Sequence, residues 1–346
     1  MKRWIIITMA LWLLCVPARA ENWTAPPADA QAQAVMPQES AGFLQDALTV
    51  LRSALQEAIP VLRQGMGVCL AMVASMLLLT VVYSFSGPAK RASELAAVVV
   101  LSCLLLESTG GMILLGEQTL QRLSEYVKLL LPALAAALAA QGGVNTAGGM
   151  YLLTAGLDAL MSAAVNVVLV PAVYVYLELS ILQAAVGDDT VKRLRERVKS
   201  TLSWALKTML YGYLGFLSVA GVVSGTADQA AVKAAKITIS GAVPVVGSIL
   251  SDASESILLG AAAVKNAVGI YGLTAVIAIC LGPFLQIAAQ YVLLKLTAMV
   301  CGLFAQKQAV CLVEDFSDAM GLLLAMTGTV GLLMLMSILC FLKGMG

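Results

Sequence analysis

The stretch MGVCLAMVASMLLLTVVYSF, residues 66–85, contains no charged residue and no proline. As an α-helix it would be about 30 Å long, which matches the thickness of the hydrocarbon core of a bilayer. Apolar runs of similar length recur along the chain. The sequence therefore predicts helices that cross a membrane.

The composition agrees with this interpretation. Of the 346 residues, 60% are hydrophobic and only 12% are charged, and the mean hydropathy is +0.91. About a quarter of a soluble domain is charged. We therefore expect an all-α polytopic integral membrane protein, in contact with the lipid bilayer. The net charge of +1 gives no electrostatic reason to expect a nucleic-acid partner.

The first residues, MKRWIIITMALWLLCVPARA, have a basic start, an apolar run and a small-x-small ending. This pattern predicts a signal peptide over residues 1–20; an uncleaved first span is the alternative. Residues 21–39 are rich in Ala, Pro and Gln and predict a disordered linker. Residues 40–64 predict an extracytoplasmic amphipathic helix, interrupted near Pro60, that lies on the membrane, on a partner or on the protein's own body.

Residues 65–346 predict a multi-pass membrane domain with five or six transmembrane helices. The basic residues Lys90 and Arg91, and the cluster from Lys192 to Lys199, predict cytoplasmic loops. The apolar run 129–140 is too short to cross the membrane. If the segment 150–186 crosses once, the alternation of the loops between the two sides of the membrane requires that this run does not cross. It is therefore predicted to be a re-entrant or half-length helix, buried in protein or lining a cavity. The predicted spans lie at about 66–85, 94–115, 150–186, 201–224, 266–294 and 319–342.

A second broken element is predicted in SGAVPVVGSILSDASESILLGAAAVKNAVG, residues 240–269. Pro244 between two glycines predicts an unwound turn, and Asp252 and Glu255 suit the first turn of a new helix. Two discontinuous helices in separate halves of a chain indicate a transport site; a surface loop before a short interfacial helix is the alternative. The two acids could coordinate a cation, although first-turn capping also explains them. The candidate residues are Gly241, Pro244, Gly247, Ser251, Asp252, Glu255, Lys265 and Asn266.

Four polar residues fall inside apolar segments: Glu107, Asp158, Asn166 and Glu178. A charge at the centre of a membrane costs about 2.5–3.5 kcal/mol on insertion scales, so such residues usually face a bundle interior or a water path. Proton or cation handling by Asp158 and Glu178 is one hypothesis. Interhelical hydrogen bonding, or a position near the membrane surface, is the other.

The sequence has no histidine, which excludes His-based triads, HExxH zinc sites and histidine proton relays. It also contains no Walker-type glycine loop and no nucleophile elbow. We therefore expect neither an enzyme nor a bound cofactor or metal.

The segment KITISGAVPVVGSILSDASESILLGAAAVKNAVGIYG resembles the most characteristic block of the stage III sporulation protein AE family. The resemblance is carried by Gly241, by the residues from Pro244 to Gly247, by Ser251, Asp252 and Ala253, and by Lys265, Asn266 and Gly269. Outside this block it extends over nearly the whole chain, on more general membrane sequence.

The resemblance implies a role in endospore formation. It implies a permease-like component of the channel or secretion complex that links mother cell and forespore, in the mother-cell membrane around the forespore. Partners would be other membrane and intermembrane-space proteins of that complex, and a homo-oligomer is open. No family active site is carried over. From the residues alone, the rivals are a stand-alone secondary transporter of a small solute and a non-conducting scaffold for partner assembly.

Overall fold

The computed structural model describes residues 27–36, 43–140, 144–219 and 267–344. The predicted signal peptide and the broken element at 240–266 lie outside the described residues. Within the described ranges every regular element is a helix, which confirms the predicted fold class. The helices are α1 (Ala30–Val35), α2 (Phe43–Phe85), α3 (Lys90–Ala140), α4 (Val144–Ala163), α5 (Val170–Val186), α6 (Asp189–Val219), α7 (Ala267–Cys301) and α8 (Lys307–Gly344).

Helix α8 is the centre of the bundle. It contacts α3, α4, α5, α6 and α7. Of its most apolar 18-residue stretch, 94% is buried. A helix with apolar residues on most of its circumference has to be covered on most sides. Helix α7 packs antiparallel to it, and side chains of α7 lie against glycines of α8 where a Cβ would be crowded: Tyr291 at Gly321, Phe284 at Gly328 and Cys280 at Gly331.

Three interhelical turns lie together at one end of the bundle, because one cavity is lined by Tyr83, Gly187 and Gln306. We call this the basic end and define it by residues 86–90, 187–189 and 302–306. The opposite end is the far end. Helices α3, α6 and α8 begin at the basic end, whereas α2, α5 and α7 finish there.

Five helical segments are long and apolar enough to span a membrane; these are Gln45–Phe85, Lys90–Ala136, Thr154–Val186, Gly269–Cys301 and Lys307–Leu339. Helix α6 is not among them; its first half is strongly basic, and only the part of the predicted span 201–224 up to Val219 is described. Its second half nevertheless lies along α8, where Tyr213 contacts Ser337. The predicted number of five or six spans is confirmed.

Helix α2 joins the predicted amphipathic segment and the first span in one helix of 43 residues, with Pro60 inside it. The predicted interruption at Pro60 is therefore wrong. Pro60 is exposed, and α2 is held on both sides of it by contacts to α7, where Glu57 lies near Gly282 and Leu293 near Gly65. Packing at both ends offsets the hydrogen bond that proline removes.

The face of α2 that packs on the bundle differs from the predicted apolar face. Val50, Ala54 and Ala58 are buried, and these small residues allow close approach to α7. Five of the large apolar residues that define the predicted amphipathic pattern are exposed: Leu48, Leu51, Leu55, Ile59 and Leu62.

The run 129–140 is the last part of the 51-residue helix α3, not a separate half-length helix. The polar segment before it does not end the helix, because Leu120, Leu123 and Val127 form a buried stripe at helical spacing. Farther along, Leu130 lies directly over Gly272 of α7. Packing against other helices therefore keeps α3 helical beyond the polar segment and Pro132, which locally favour the end of a helix.

Part of the predicted disordered linker is ordered. Residues Ala30–Val35 form α1, whose first turn is capped when the Ala32 amide donates to the Asp29 carboxylate over 2.9 Å. Ala28 and Ala32 are buried, and Asp29 forms an ion pair with Arg122 of α3 at 3.6 Å. Packing and one ion pair thus hold a segment whose composition alone favours disorder.

Candidate functional site: polar groups on the central helix

The first polar cluster joins three helices at Asp158. This residue lies on α4 and is 9% exposed. Ser337 of α8 donates to Asp158 Oδ1 over 3.2 Å, and the hydroxyl oxygens of Tyr213, on α6, and Ser337 are 2.5 Å apart. The single proton of Ser337 has two acceptors within reach, Asp158 Oδ1 and the Leu333 carbonyl oxygen at 3.0 Å, so with either acceptor it is Tyr213 that donates to Ser337. When Ser337 donates to Asp158, the three groups form a chain of hydrogen bonds that ends on the carboxylate.

The second oxygen of Asp158 is buried, and it has no hydrogen-bond partner in the described part of the chain. A cavity of about 110 Å³ lies beside this residue, and its lining includes Ser124, Lys128 and Tyr151. A carboxylate oxygen next to a small cavity can hold a proton, a water molecule or a small cation. No group of three potential metal-ligating His, Cys, Asp or Glu side chains occurs within the described ranges, so the cavity does not have the ligand set of a resident metal.

The Asp158 cluster lies towards the far end of the bundle. The rise from Arg195 to Tyr213 along α6 is about 27 Å, and the rise from Asp315 to Ser337 along α8 is about 33 Å. The distance from the Arg195–Asp315 ion pair to the cluster is thus about equal to the thickness of the hydrocarbon core of a bilayer, about 30 Å.

A π-helix at Ala164–Leu169 joins α4 to α5. Pro171 follows it in the first turn of α5, where the missing N–H and the ring disfavour regular α-helical bonding to the preceding turn. Asn166 lies in the π-helix and donates from Nδ2 to Ser162 Oγ over 3.3 Å. Its Oδ1 is buried without a hydrogen-bond partner among the described residues. Single π turns in α-helices occur frequently at functional sites.

The second polar cluster consists of ion pairs near the basic end. Asp315 of α8 pairs with Arg195 of α6 and accepts a hydrogen bond from the Tyr176 hydroxyl of α5 at 3.3 Å. One turn farther along α8, Asp318 pairs with Lys199 of α6. Two acids one turn apart on α8 therefore meet two bases one turn apart on α6, which fixes the register of the two helices.

Asp318 also lies 3.7 Å from the ammonium group of Lys295 on α7. The cluster thus connects α8 to helices on two of its sides.

A cavity of about 550 Å³ opens next to these ion pairs. Its lining includes Asp315, Arg195, Lys192 and Glu94, together with Gln183, whose Oε1 is buried without a partner among the described residues. The lining carries charges of both signs beside apolar side chains, and the cavity is partly open to solvent.

The two clusters lie on the same side of α8. Helical spacing places Asp315, Asp318, Thr329 and Ser337 within about 100° of one another around the helix axis. Thr329 is located between the clusters, and its buried hydroxyl has no hydrogen-bond partner in the described ranges. We call these four residues the polar face of α8. It is covered by α4, α5 and α6.

The four predicted intramembrane residues differ in their burial and in their contacts. It buries Asp158 with partners from two other helices, and it places the half-buried Asn166 in the π-helix. Glu107 on α3 and Glu178 on α5 are exposed, and neither is brought to Asp158. All eight candidate residues of the broken element, from Gly241 to Asn266, lie outside the described residues.

Sequence reasoning did not single out Ser337, Tyr213, Tyr176 or Asp315. A serine or tyrosine within an apolar run carries no signal of its own. The ion pairs do have a signal, because the spacing of Asp315 and Asp318 complements that of Arg195 and Lys199.

Comparison with known proteins identifies a family. The family described as stage III sporulation protein AE matches residues 33–344. A protein of Bacillus subtilis (strain 168) named stage III sporulation protein AE is 25% identical over 202 residues, which cover 58% of this chain and 51% of the relative. The chain thus spans about half the length of that curated relative. No solved structure matches the chain.

Proposed function

This chain belongs to the stage III sporulation protein AE family, and we propose that it is the membrane-embedded, permease-like component of a sporulation channel complex. In this proposal the complex links mother cell and forespore and is required for late forespore development. The chain resides in the mother-cell membrane around the forespore. Its partners are the other membrane and intermembrane-space proteins of the complex.

The observation that carries the permease-like role is the polar face of α8. Asp315 belongs to this face, Asp158 is buried against it towards the other end of the bundle, and both are held by side chains from other helices. Ionisable groups enclosed by protein at membrane depth are costly and typically serve ion, proton or substrate movement. A scaffold that only anchors partners would use these groups to hold its helices in register and would tolerate loss of the charge at Asp158.

The orientation follows from charge. The basic end includes Lys90, Arg91 and the start of α6, and short loops rich in Lys and Arg remain in the cytoplasm. In this orientation α2 begins outside the cytoplasm, and the Asp158 cluster faces the space between the two membranes. The large cavity then opens to the cytoplasm of the mother cell.

The first experiment replaces the gene in its sporulating host with an Asp158→Asn variant. Asparagine preserves the shape of the side chain and the contact with Ser337 but removes the negative charge. We expect a strong loss of heat-resistant spores at unchanged protein level, with normal engulfment. Glu178→Gln is the matched control, since it removes a carboxylate from an exposed position, and it should sporulate normally.

Affinity purification of the tagged chain from sporulating cells tests membership of a complex. Other mother-cell membrane and intermembrane-space proteins should be recovered, at equal yield for the native chain and for Asp158→Asn. Purification of the chain alone, from a detergent in which known assemblies survive, contradicts the proposal. Solute flux by the reconstituted chain alone would then identify a stand-alone transporter, and full tolerance of Asp158→Asn would identify a scaffold.

A further inference from the structure

We propose that a groove at the basic end binds the phosphate group of an anionic phospholipid, whose acyl chains then lie along exposed apolar residues of α3 and α5. The groove consists of two cavities, of about 550 Å³ and about 370 Å³. Glu94, Ala184, Gly187 and Gln308 line both of them, so the two cavities adjoin. We call them together the basic-end groove.

Basic side chains outnumber acidic ones in the lining of this groove. The acids are Glu94, Asp189 and Asp315, and Asp315 is already paired with Arg195. The basic residues are Lys90, Arg91, Lys192, Arg195 and Lys307. The excess of positive charge favours an anion over a cation or a neutral molecule.

Most of these basic side chains have no acidic partner. No described residue forms an ion pair with Arg91, Lys192 or Lys307, and all three are exposed. The ammonium group of Lys90 lies 5.5 Å from the centroid of the Tyr83 ring, a contact that leaves its positive charge in place. These groups can therefore turn towards a bound phosphate without breaking an ion pair, and they form charge-assisted hydrogen bonds with it.

The start of helix α8 reinforces this preference. Lys307 and Gln308 are its first two residues, and both line the groove. The first amides of an α-helix have no acceptor within the helix, and the positive end of the helix dipole lies there. The backbone at this end of α8 therefore favours the same anion as the basic side chains.

Apolar side chains beside the groove favour a lipid over a soluble phosphate compound. Leu95 of α3 and Val186 of α5 line the smaller cavity, and both are exposed. One helical turn farther from the basic end, Val99 and Leu182 are exposed as well. Because α3 and α5 contact each other, these four residues form an apolar track that begins at the groove. A soluble phosphate compound gains nothing from this track, whereas the acyl chains of a phospholipid can cover it.

Other apolar side chains indicate that the bilayer reaches this level of the bundle. Phe85, at the end of α2, and Leu303, in the turn between α7 and α8, are each 86% exposed. Large apolar side chains that are exposed on a membrane protein are stable in contact with lipid and costly in water. The basic-end groove therefore lies where phospholipid head groups and acyl chains meet.

Native mass spectrometry of the purified full-length protein tests which molecule binds. The protein is kept in a neutral detergent and titrated with dioleoylphosphatidylglycerol or with dioleoylphosphatidylcholine, which has the same acyl chains but no net charge. Phosphatidylglycerol should remain bound at concentrations at which phosphatidylcholine does not. Glycerol phosphate has the phosphate group without acyl chains, and it should bind more weakly than phosphatidylglycerol.

Charge removal tests the two cavities separately. Lys192→Gln/Lys307→Gln removes two positive charges from the larger cavity, and Lys90→Gln/Arg91→Gln removes two from the smaller one. Each double variant should weaken phosphatidylglycerol binding about 30-fold, because each basic residue near a membrane surface contributes roughly five-fold. All four residues are exposed, so the variants should elute as monodisperse protein.

Two further variants locate the binding site. Arg193→Gln/Arg197→Gln is the matched control, because it removes the same charge from exposed positions of α6 that line neither cavity. It should leave the affinity for phosphatidylglycerol unchanged. Leu95→Gln/Val186→Gln alters the apolar track, and it should weaken the binding of phosphatidylglycerol but not that of glycerol phosphate.

Three results overturn the proposal. The first is equal binding of phosphatidylglycerol and phosphatidylcholine. The second is equal weakening by the α6 control variant and by Lys192→Gln/Lys307→Gln, which would indicate a response to total charge and not to the groove. The third is binding of glycerol phosphate as tight as that of phosphatidylglycerol, which would assign the groove to a soluble anion. Sporulation defects from Asp158→Asn are independent of all three, so this proposal and the proposed function fail separately.

Discussion

Replacement of Arg195 by alanine should destabilise the bundle far more than replacement of its neighbour on the same helix. Arg195 and Asp315 are only 12% and 9% exposed in their side chains. Arg195→Ala leaves Asp315 buried, with the Tyr176 hydroxyl as its remaining hydrogen-bond donor from the described residues. Asp315 then loses the counter-charge of Arg195 and does not gain a full hydration shell in exchange.

Breaking a buried pair by removal of one partner costs about 3–5 kcal/mol. The lower value applies here, because the cavity beside Asp315 gives partial access to water and Lys199 remains one turn away. At roughly 2 °C for each kcal/mol in a large domain, about 3 kcal/mol corresponds to a fall in apparent Tm of about 6 °C.

The assay is thermal unfolding of the purified protein in detergent, followed by intrinsic fluorescence. Arg197→Ala is the matched control, because it removes the same charge from an exposed position of α6, and a surface change stays within about 0.5 kcal/mol. The double variant Arg195→Met/Asp315→Leu should recover most of the lost stability, since an apolar pair of similar volume can replace a buried ion pair. Equal Tm values for Arg195→Ala and Arg197→Ala would refute the reasoning.

Three further outcomes are expected. Gly331→Ala places a Cβ atom 2.7 Å from Cys280 Sγ and should lower the free energy of unfolding by about 1–3 kcal/mol. Gly156→Ala meets nothing within 4 Å and should leave this free energy unchanged or raise it by up to about 1 kcal/mol. Equal melting temperatures of the two variants would contradict this expectation. Tyr213→Phe removes a hydrogen bond to α8 and should cost about 1 kcal/mol, while Tyr211→Phe on the exposed face should cost nothing measurable, and the reverse order would contradict the assignment. Single cysteines are placed in the three turns of the basic end, at Ser86, Asp188 and Leu303. All three should react with an impermeant maleimide from the same side of the membrane. Labelling of one of them from the opposite side would show that the three turns do not share one end.

The spans could be predicted from the sequence because their signal is local. An uncharged run such as 66–85 has the length of the hydrocarbon core, and each basic loop fixes a side. The continuation of α3 to Ala140 could not be predicted in this way. Its stop signals, a polar run and Pro132, are local as well, but the contacts that override them come from α7, which is remote in the sequence.

The candidate site was predictable only in part, for the same reason. Asp158 is conspicuous as a charge in an apolar run, whereas Ser337 and Tyr213 are conspicuous only once the helices have been assembled around it. Glu107 shows the opposite limit. Its charge is equally conspicuous in the sequence, but only the structure reveals that it faces outward and is not part of the bundle interior.

Helix α8 has two sides with different mechanical properties. On the glycine side, Gly321, Gly328 and Gly331 are each filled by a side chain of α7 at close distance, so any sliding there meets steric overlap. Next to the polar face, Asp158 Oδ2 and Gln183 Oε1 are buried without partners among the described residues, so acceptors are present there for hydrogen bonds that would replace broken ones. If the chain has the proposed permease-like role, a rearrangement of the bundle would move α4, α5 and α6 against the α7–α8 pair, and it would have to release the acids that hold these helices to α8.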